Sequence, residues 1–219
     1  MSGATASHAA AMDAMYRYQR HIYDLTRKYY LFGRDRMIDG LALQPGMSLL
    51  ELGCGTGRNL RRASQRFAGA ELYGLDISEE MLASARHTFR HSSAPPRFRT
   101  GDATAFQASD FGRPGFDRIM IAYALSMIPD WELAIERGME ALLPGGALHI
   151  VDFGQQEQLP RWFHHGLTAW LDRFHVTPRR NLEAVLKQTA IHHHASLEFR
   201  AINRGYAWLA VLRRPSPMN

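Results

Sequence analysis

The run Leu49-Leu50-Glu51-Leu52-Gly53-Cys54-Gly55-Thr56-Gly57-Arg58-Asn59 constrains the fold more than any other stretch. A short apolar segment holding one acid leads into three glycines at alternate positions, and a polar segment able to start a helix follows. This pattern is a strand, a tight turn and a helix. Glycines at such a turn let a ligand approach the backbone closely. The helix behind it directs its positive N-terminal end to the same place.

The alternation continues after this turn. Residues 47–52 are predicted as a strand, 58–67 as a helix, and 71–75 as a strand closed by Asp76. Ser78 is an N-cap with Glu79 and Glu80 in the first turn, for a helix to about Arg90. Arg97 to Thr100 is a short strand ending at Gly101-Asp102. Phe116 to Ala122 reads as a strand buried on both faces. Asp130 opens a helix that stops at Leu143-Pro144-Gly145-Gly146, and Ala147 to Asp152 is the fifth strand. Such alternation implies a parallel, doubly wound α/β sheet. After it, Leu159 to Phe174 has a helical apolar face, and Thr177-Pro178 opens a helix to about Gln188. Ala195 to Ile202 and Tyr206 to Leu212 alternate as an antiparallel pair joined near Asn203-Arg204-Gly205, and the tail from Arg214 reads as loose.

The glycine spacing differs from the dinucleotide pattern G-x-G-x-x-G, because Arg58 stands at the sixth position. Glu51 also places a negative charge where a diphosphate is unwelcome and a cation is tolerated. Asp76 ends the second strand, where a carboxylate can accept from two ribose hydroxyls. Asp102 follows the third, where an acid can accept from an adenine amino group. In a parallel sheet both positions lie on the ligand-binding edge.

The segments E-L-G-C-G-T-G (51–57), L-Y-G-L-D-I-S-E-E-M-L (72–82), G-D-A (101–103), F-D-R-I-M (116–120) and L-L-P-G-G-A-L (142–148) resemble the successive motifs of class I S-adenosylmethionine-dependent methyltransferases. The resemblance implies a Rossmann-like, mostly parallel seven-stranded sheet, with N-terminal helices (1–40) covering the cofactor site of a methyltransferase domain (41–219). Its cofactor, S-adenosylmethionine, carries the ammonium and sulfonium that suit Glu51. The implied cofactor residues are Tyr23, Arg34, Glu51, Gly53, Cys54, Gly55, Gly57, Asn59, Asp76, Ile77, Met81, Asp102 and Ala103. Ile77 and Met81 sandwich the adenine or are ordinary core. Cys54 reads as a small packing residue, since no thiolate-stabilising partner is visible.

The acceptor is written in the flanks. The Asn/Asp-Pro-Pro-aromatic tetrad of base-amine methylases is absent from the segment after strand four, so no nucleic-acid partner is expected despite a net charge of +5 and a pI near 9.6. Residues 20–36, rich in Tyr and Arg, together with 159–163 and 174–178, resemble bacterial betaine-lipid N-methyltransferases, which convert diacylglyceryl-homoserine into diacylglyceryl-trimethylhomoserine. That resemblance implies a lipid or small-amine substrate, a cytoplasmic chain, and peripheral contact with an anionic membrane. Tyr23, Tyr29, Tyr30 and Tyr123 are candidates to face a quaternary ammonium. Arg27 or Arg34 could pair with a carboxylate. The 159–174 helix, with Trp162, Phe163, Trp170 and Phe174 on one face, fits the membrane interface and equally a helix packed on the sheet.

Asp152 is the best placed proton acceptor among His149, Asp152, His164, His165 and His192-His193-His194. Read as a strand, the histidine run points its side chains alternately to opposite faces, so no metal is expected. The longest apolar run, about ten residues from Ile119, is half of what a bilayer requires. A single cysteine excludes an internal disulfide. A soluble amine as acceptor, a non-catalytic cofactor-binding regulator, and an RNA-associated enzyme suggested by charge alone are the alternatives.

Overall fold

A computed structural model describes residues 31–160, 166–167, 171 and 176–216. The expectations placed on residues 1–30, and most of the 159–174 helix, lie outside the described residues. The seven strands are β1 (Ser48–Leu52), β2 (Glu71–Asp76), β3 (Arg97–Thr100), β4 (Phe116–Ala122), β5 (Leu142–Phe153), β6 (Ser196–Ile202) and β7 (Ala207–Arg213). They form one sheet in the order β3-β2-β1-β4-β5-β7-β6. β1, β2, β3, β4 and β5 are parallel, and β7 runs antiparallel between β5 and β6.

Strand β1 is buried at every position: Leu49, Leu50 and Leu52 are core, while its two polar members are hydrogen-bonded, Ser48 to Asp117 and Glu51 to Asn59. The described helices are α1 (Arg34–Asp39), α2 (Arg58–Arg66), α3 (Glu79–Thr88), α4 (Trp131–Glu140) and α5 (Leu182–His192). Each closes its apolar side on the sheet. Met37 and Ile38 of α1, Leu60 and Ala63 of α2, and Leu82 of α3 pack with Leu49, Met120 and Val151 on one face. Trp131, Ile135 and Met139 of α4 and Leu182 and Leu186 of α5 pack with Leu50, Leu52 and Ile121 on the other. The result is the doubly wound architecture expected from the alternation, and the carboxyl ends of the five parallel strands share one edge.

Four local expectations are corrected. β5 begins at Leu142, not Ala147: Phe116 pairs with Leu142 and Arg118 with Ala147, so Leu143 to Gly146 form a bulge inside the strand. The tail is not loose over 214–216. Arg214 N donates to Gly146 O (2.9 Å), Gly145 N donates to Pro215 O (3.1 Å), and the Arg214 guanidinium donates to Leu142 O (2.5 Å). α5 starts at Leu182 and not at Thr177; Thr177 N instead donates to Ser126 O (3.0 Å), and Arg179 reaches the loop after β4. It then runs on through His192, so the histidine run closes a helix and is not a strand. The N-cap at Ser78 is present, its hydroxyl accepting from Met81 N at 3.3 Å, whereas Asp130 makes no side-chain cap.

Candidate active site

The turn between β1 and α2 is held from both sides. Gly53 N and Cys54 N both donate to Leu75 O on β2, at 2.9 and 3.0 Å. Gly53 (φ +68) has no room for a side chain, since a Cβ there would lie 2.7 Å from the Ala124 Cβ. Gly55 (φ +53) differs, because a Cβ there would meet nothing within 4 Å. Its backbone therefore faces open space at the top of the sheet, the close approach that a bound ligand requires. Gly57 serves as the left-handed N-cap of α2.

Acids ring this turn. Asp76 Oδ2 accepts from Gly55 N (2.7 Å) and Oδ1 from Ser78 N (3.0 Å), which orients the carboxylate at the mouth of the turn. Asp102 Oδ1 accepts from the amide and hydroxyl of Thr104, both at 2.8 Å, which turns the second oxygen toward other donors. Glu51 is buried beneath the turn and accepts from Asn59 Nδ2 at 2.7 Å. Met81 and Ala103 are buried and Ile77 is half-buried beside these acids. Cys54 packs against Gly74; burial, then the charges of Asp76 and Glu51, push its thiol well above the usual value, which leaves it inert. The Arg34 guanidinium donates to Leu31 O at 3.2 Å. An open glycine backbone, two oriented carboxylates at the ends of β2 and β3, and a buried negative charge fit S-adenosylmethionine.

The candidates for catalysis fall in different places. Tyr23 and Tyr30 lie outside the described residues. Tyr123 is enclosed, with an unusual φ of +55, and its hydroxyl donates to Phe32 O at 2.5 Å. Its ring meets Phe153 edge-on at 4.7 Å, so it tethers the segment before α1 to the end of β4. Asp152 is fully buried. Oδ2 accepts from Ser126 N at 3.3 Å and Oδ1 from its neighbour Phe153 N at 2.7 Å. Burial raises its carboxyl to about 6, against the lowering pull of these amides and of Arg179. His149 lies mid-strand, away from the ligand edge, with both ring nitrogens buried and unpartnered; burial and the charges of Arg118 and Arg213 lower it to about 3.

Two features escaped the sequence reading. Arg179 donates to Leu125 O (3.0 Å) and Ile128 O (2.6 Å), clamping the loop after β4 that Asp152 also holds. A cleft of about 650 Å³ lies between the start of α1 and α2, lined by Arg34, Arg36, Arg58, Arg61 and Arg62; among the described residues that line it, Asp35 is the one acid. Its arginines come from two distant segments, and α2 carries three of them on adjacent turns, a spacing visible in the sequence once the helix is known.

Comparison with known proteins accords with this geometry. A family profile described as "Methyltransferase domain" matches residues 49–146. The demethylmenaquinone methyltransferase of Thermus thermophilus is 34% identical over 137 residues, 60% of each chain. The 2-phytyl-1,4-naphtoquinone methyltransferase of Thermosynechococcus vestitus is 31% identical over 173 residues, 69% of this chain and 75% of that one. The chain belongs to the class I S-adenosylmethionine-dependent methyltransferases. Phosphoethanolamine N-methyltransferase 2 of Caenorhabditis elegans is 30% identical over 113 residues, 51% of this chain and 25% of its own. The chain thus spans less than two thirds of the Thermus and nematode methyltransferases. A chain of the Haloferax volcanii complex containing the Trm112 methyltransferase activator shares the fold, with a TM-score of 0.72 at 16% identity, covering 93% of this chain and 98% of that one.

Proposed function

We propose that this methyltransferase acts on an amine nitrogen, and that its acceptor is the head group of diacylglyceryl-homoserine, methylated three times to diacylglyceryl-trimethylhomoserine. The observation that carries this reading is the arginine-lined cleft beside the glycine turn. The acceptor bears a carboxylate next to its amine and resides in a membrane. Arginine pairs with carboxylates in a bidentate fork, and each cation near an anionic bilayer contributes about 1 kcal/mol of attraction. The likeness to a phosphoethanolamine N-methyltransferase supports an amine that carries an anionic group. Among the described residues no helix is long and apolar enough to cross a membrane, so contact with lipid is peripheral in this reading.

Bound S-adenosylmethionine supplies an electrophilic methyl carbon. The protein's share is alignment, water exclusion and charge. Glu51 offsets cofactor positive charge from below. Asp76 and Asp102 hold its nucleoside. Tyrosine faces favour a quaternary ammonium, the role this reading assigns to Tyr23 and Tyr30. Asp152 acts as a positioning residue: with Arg179 it fixes the loop at 124–128 that follows the carboxyl end of β4.

A second reading is supported by the two quinone methyltransferases that resemble this chain: methylation of a ring carbon of a lipid quinone. A soluble anionic amine is the third acceptor class. Mass spectrometry of lipids and quinones from cells expressing this chain, supplied with a source of diacylglyceryl-homoserine, separates them. Mono-, di- and trimethylated head groups are expected. Their absence from cells whose purified protein binds S-adenosylmethionine would sink the betaine-lipid reading, and a methylated quinone or soluble amine would replace it.

A further inference from the structure

The run His192-His193-His194 has no part in the cofactor site. It closes α5, with His192 as the last residue and His193 as the C-cap. On a helix, successive side chains point about 100° apart and not 180°. Neighbours in sequence can therefore address one adjacent element. That element is α4, which presents Glu136. His193 Nε2 lies 2.5 Å from Glu136 Oε2. One ligand atom from each of Glu136, His192 and His193 lies within 4.8 Å of the other two. The two imidazoles meet edge-on, with centroids 4.9 Å apart.

We propose that Glu136, His192 and His193 form a binding site for a borderline divalent transition ion, typified by Zn²⁺, that bridges α4 and α5. Two imidazole nitrogens and one carboxylate oxygen are the donors such ions select, whereas Mg²⁺ and Ca²⁺ favour oxygen alone. Ligand atoms about 2.0–2.1 Å from a tetrahedral ion stand about 3.3 Å from each other. Reaching that spacing parts the Glu136–His193 pair by about 0.8 Å and draws His192 inward by about 1.5 Å at most. His192 is exposed and its side chain can make that move. Water completes the fourth position. The ion would act with the Asn181 Nδ2 to Glu132 Oε1 hydrogen bond (3.4 Å), which joins the same two helices nearer their N-termini. Arg137, next to Glu136, pairs with Glu140 at 2.7 Å and does not compete for the Glu136 carboxylate.

The test uses the full-length chain without an affinity tag. Calorimetric titration with Zn²⁺ at neutral pH is expected to show one saturable site, and Zn²⁺, but not Mg²⁺, to raise the melting temperature by several degrees. His192→Ala keeps the Glu136–His193 pair, so an ion pair alone is left intact. It is nevertheless expected to weaken Zn²⁺ binding at least about tenfold, as is Glu136→Gln, through loss of one of three ligands. S-adenosylmethionine affinity should be the same in all three proteins, because the site lies in the helical layer away from the glycine turn. No saturable Zn²⁺ binding to the wild-type chain, or equal binding to the wild type and both variants, would overturn the proposal.

Discussion

The Gly55 amide donates to Asp76 Oδ2 at 2.7 Å, and this bond ties the glycine turn after β1 to the end of β2. Gly55 adopts φ +53. With Ser78 N on the other oxygen, the Asp76 carboxylate is oriented before any ligand arrives. Pre-organisation of this kind lowers the cost of binding, because fewer groups must be ordered when the ligand enters.

If Asp76 accepts from two ribose hydroxyls, as the proposed reading has it, Asp76→Ala removes both bonds. Hydrogen bonds to a charged group contribute about 1.5–3 kcal/mol each, so S-adenosylmethionine affinity should fall at least about 100-fold. Asp76→Asn keeps one acceptor oxygen and should fall between the two. Calorimetric affinities unchanged in both variants would contradict the ribose role.

Gly53 and Gly55 should respond differently to alanine. At Gly53 the new methyl meets the Ala124 Cβ at 2.7 Å, between the turn and the end of β4, and neither side can recede easily. At Gly55 it meets nothing. Both carry about 1 kcal/mol of left-handed strain, so Gly53→Ala is expected to lose clearly more thermal stability than Gly55→Ala. Gly55→Ala instead fills the space facing the ligand and should lose cofactor affinity while melting near the wild-type temperature. Measuring melting temperature and cofactor affinity on both variants separates the two effects.

The strands and the acids at their ends were legible because each follows from local pattern: apolar runs of strand length, glycines at alternate positions, and carboxylates where a parallel strand must stop. Pro144-Gly145-Gly146 read as a loop for the same local reason. The chain absorbs them as a bulge in β5 because the tail at Arg214 and Pro215 satisfies their backbone, a partner some 70 residues away that no window reveals. Thr177-Pro178 carries helix-start signals, yet the Ser126 carbonyl takes the Thr177 amide and Arg179 turns to the loop after β4. The helix begins later and carries the histidines out of their expected strand. The arginine cleft was invisible because its residues converge only when α1 packs against α2.

Tyr123→Phe removes the tether to Phe32. The ring and its edge contact with Phe153 survive, and one hydrogen bond to a backbone carbonyl is lost, a cost of about 1 kcal/mol. Melting should shift by a few degrees at most. Amide exchange over residues 31–39 should accelerate more than exchange in β4, because the bond anchors that segment to the sheet. Unaltered exchange there would show that packing of Leu31, Met37 and Ile38 alone holds the segment.

Asp152 and His149, both buried in β5, should oppose each other in the pH dependence of stability. Asp152 is raised from 3.8 to about 6, so the folded chain binds its proton more tightly than the unfolded chain. Between about pH 4 and 6 this group alone makes stability fall as pH rises, by about 1.4 kcal/mol per unit. His149 is lowered from 6.5 to about 3, so the unfolded chain binds its proton more tightly. Over the same window it makes stability rise with pH at the same slope, and this contribution is lost as pH falls toward 3. The two slopes cancel between about pH 4 and 6 in the wild type. His149→Leu removes a buried ring with two unpartnered nitrogens and should be at least as stable as the wild type at pH 7. Relative to the wild type it should gain stability steadily below about pH 6.5, exposing the Asp152 slope. Asp152→Asn should do the reverse, gaining most at neutral pH and losing that advantage toward pH 4. Denaturant midpoints for the three proteins at several pH values between 4 and 7.5 check both signs, and parallel curves would show that neither group changes its proton affinity on folding.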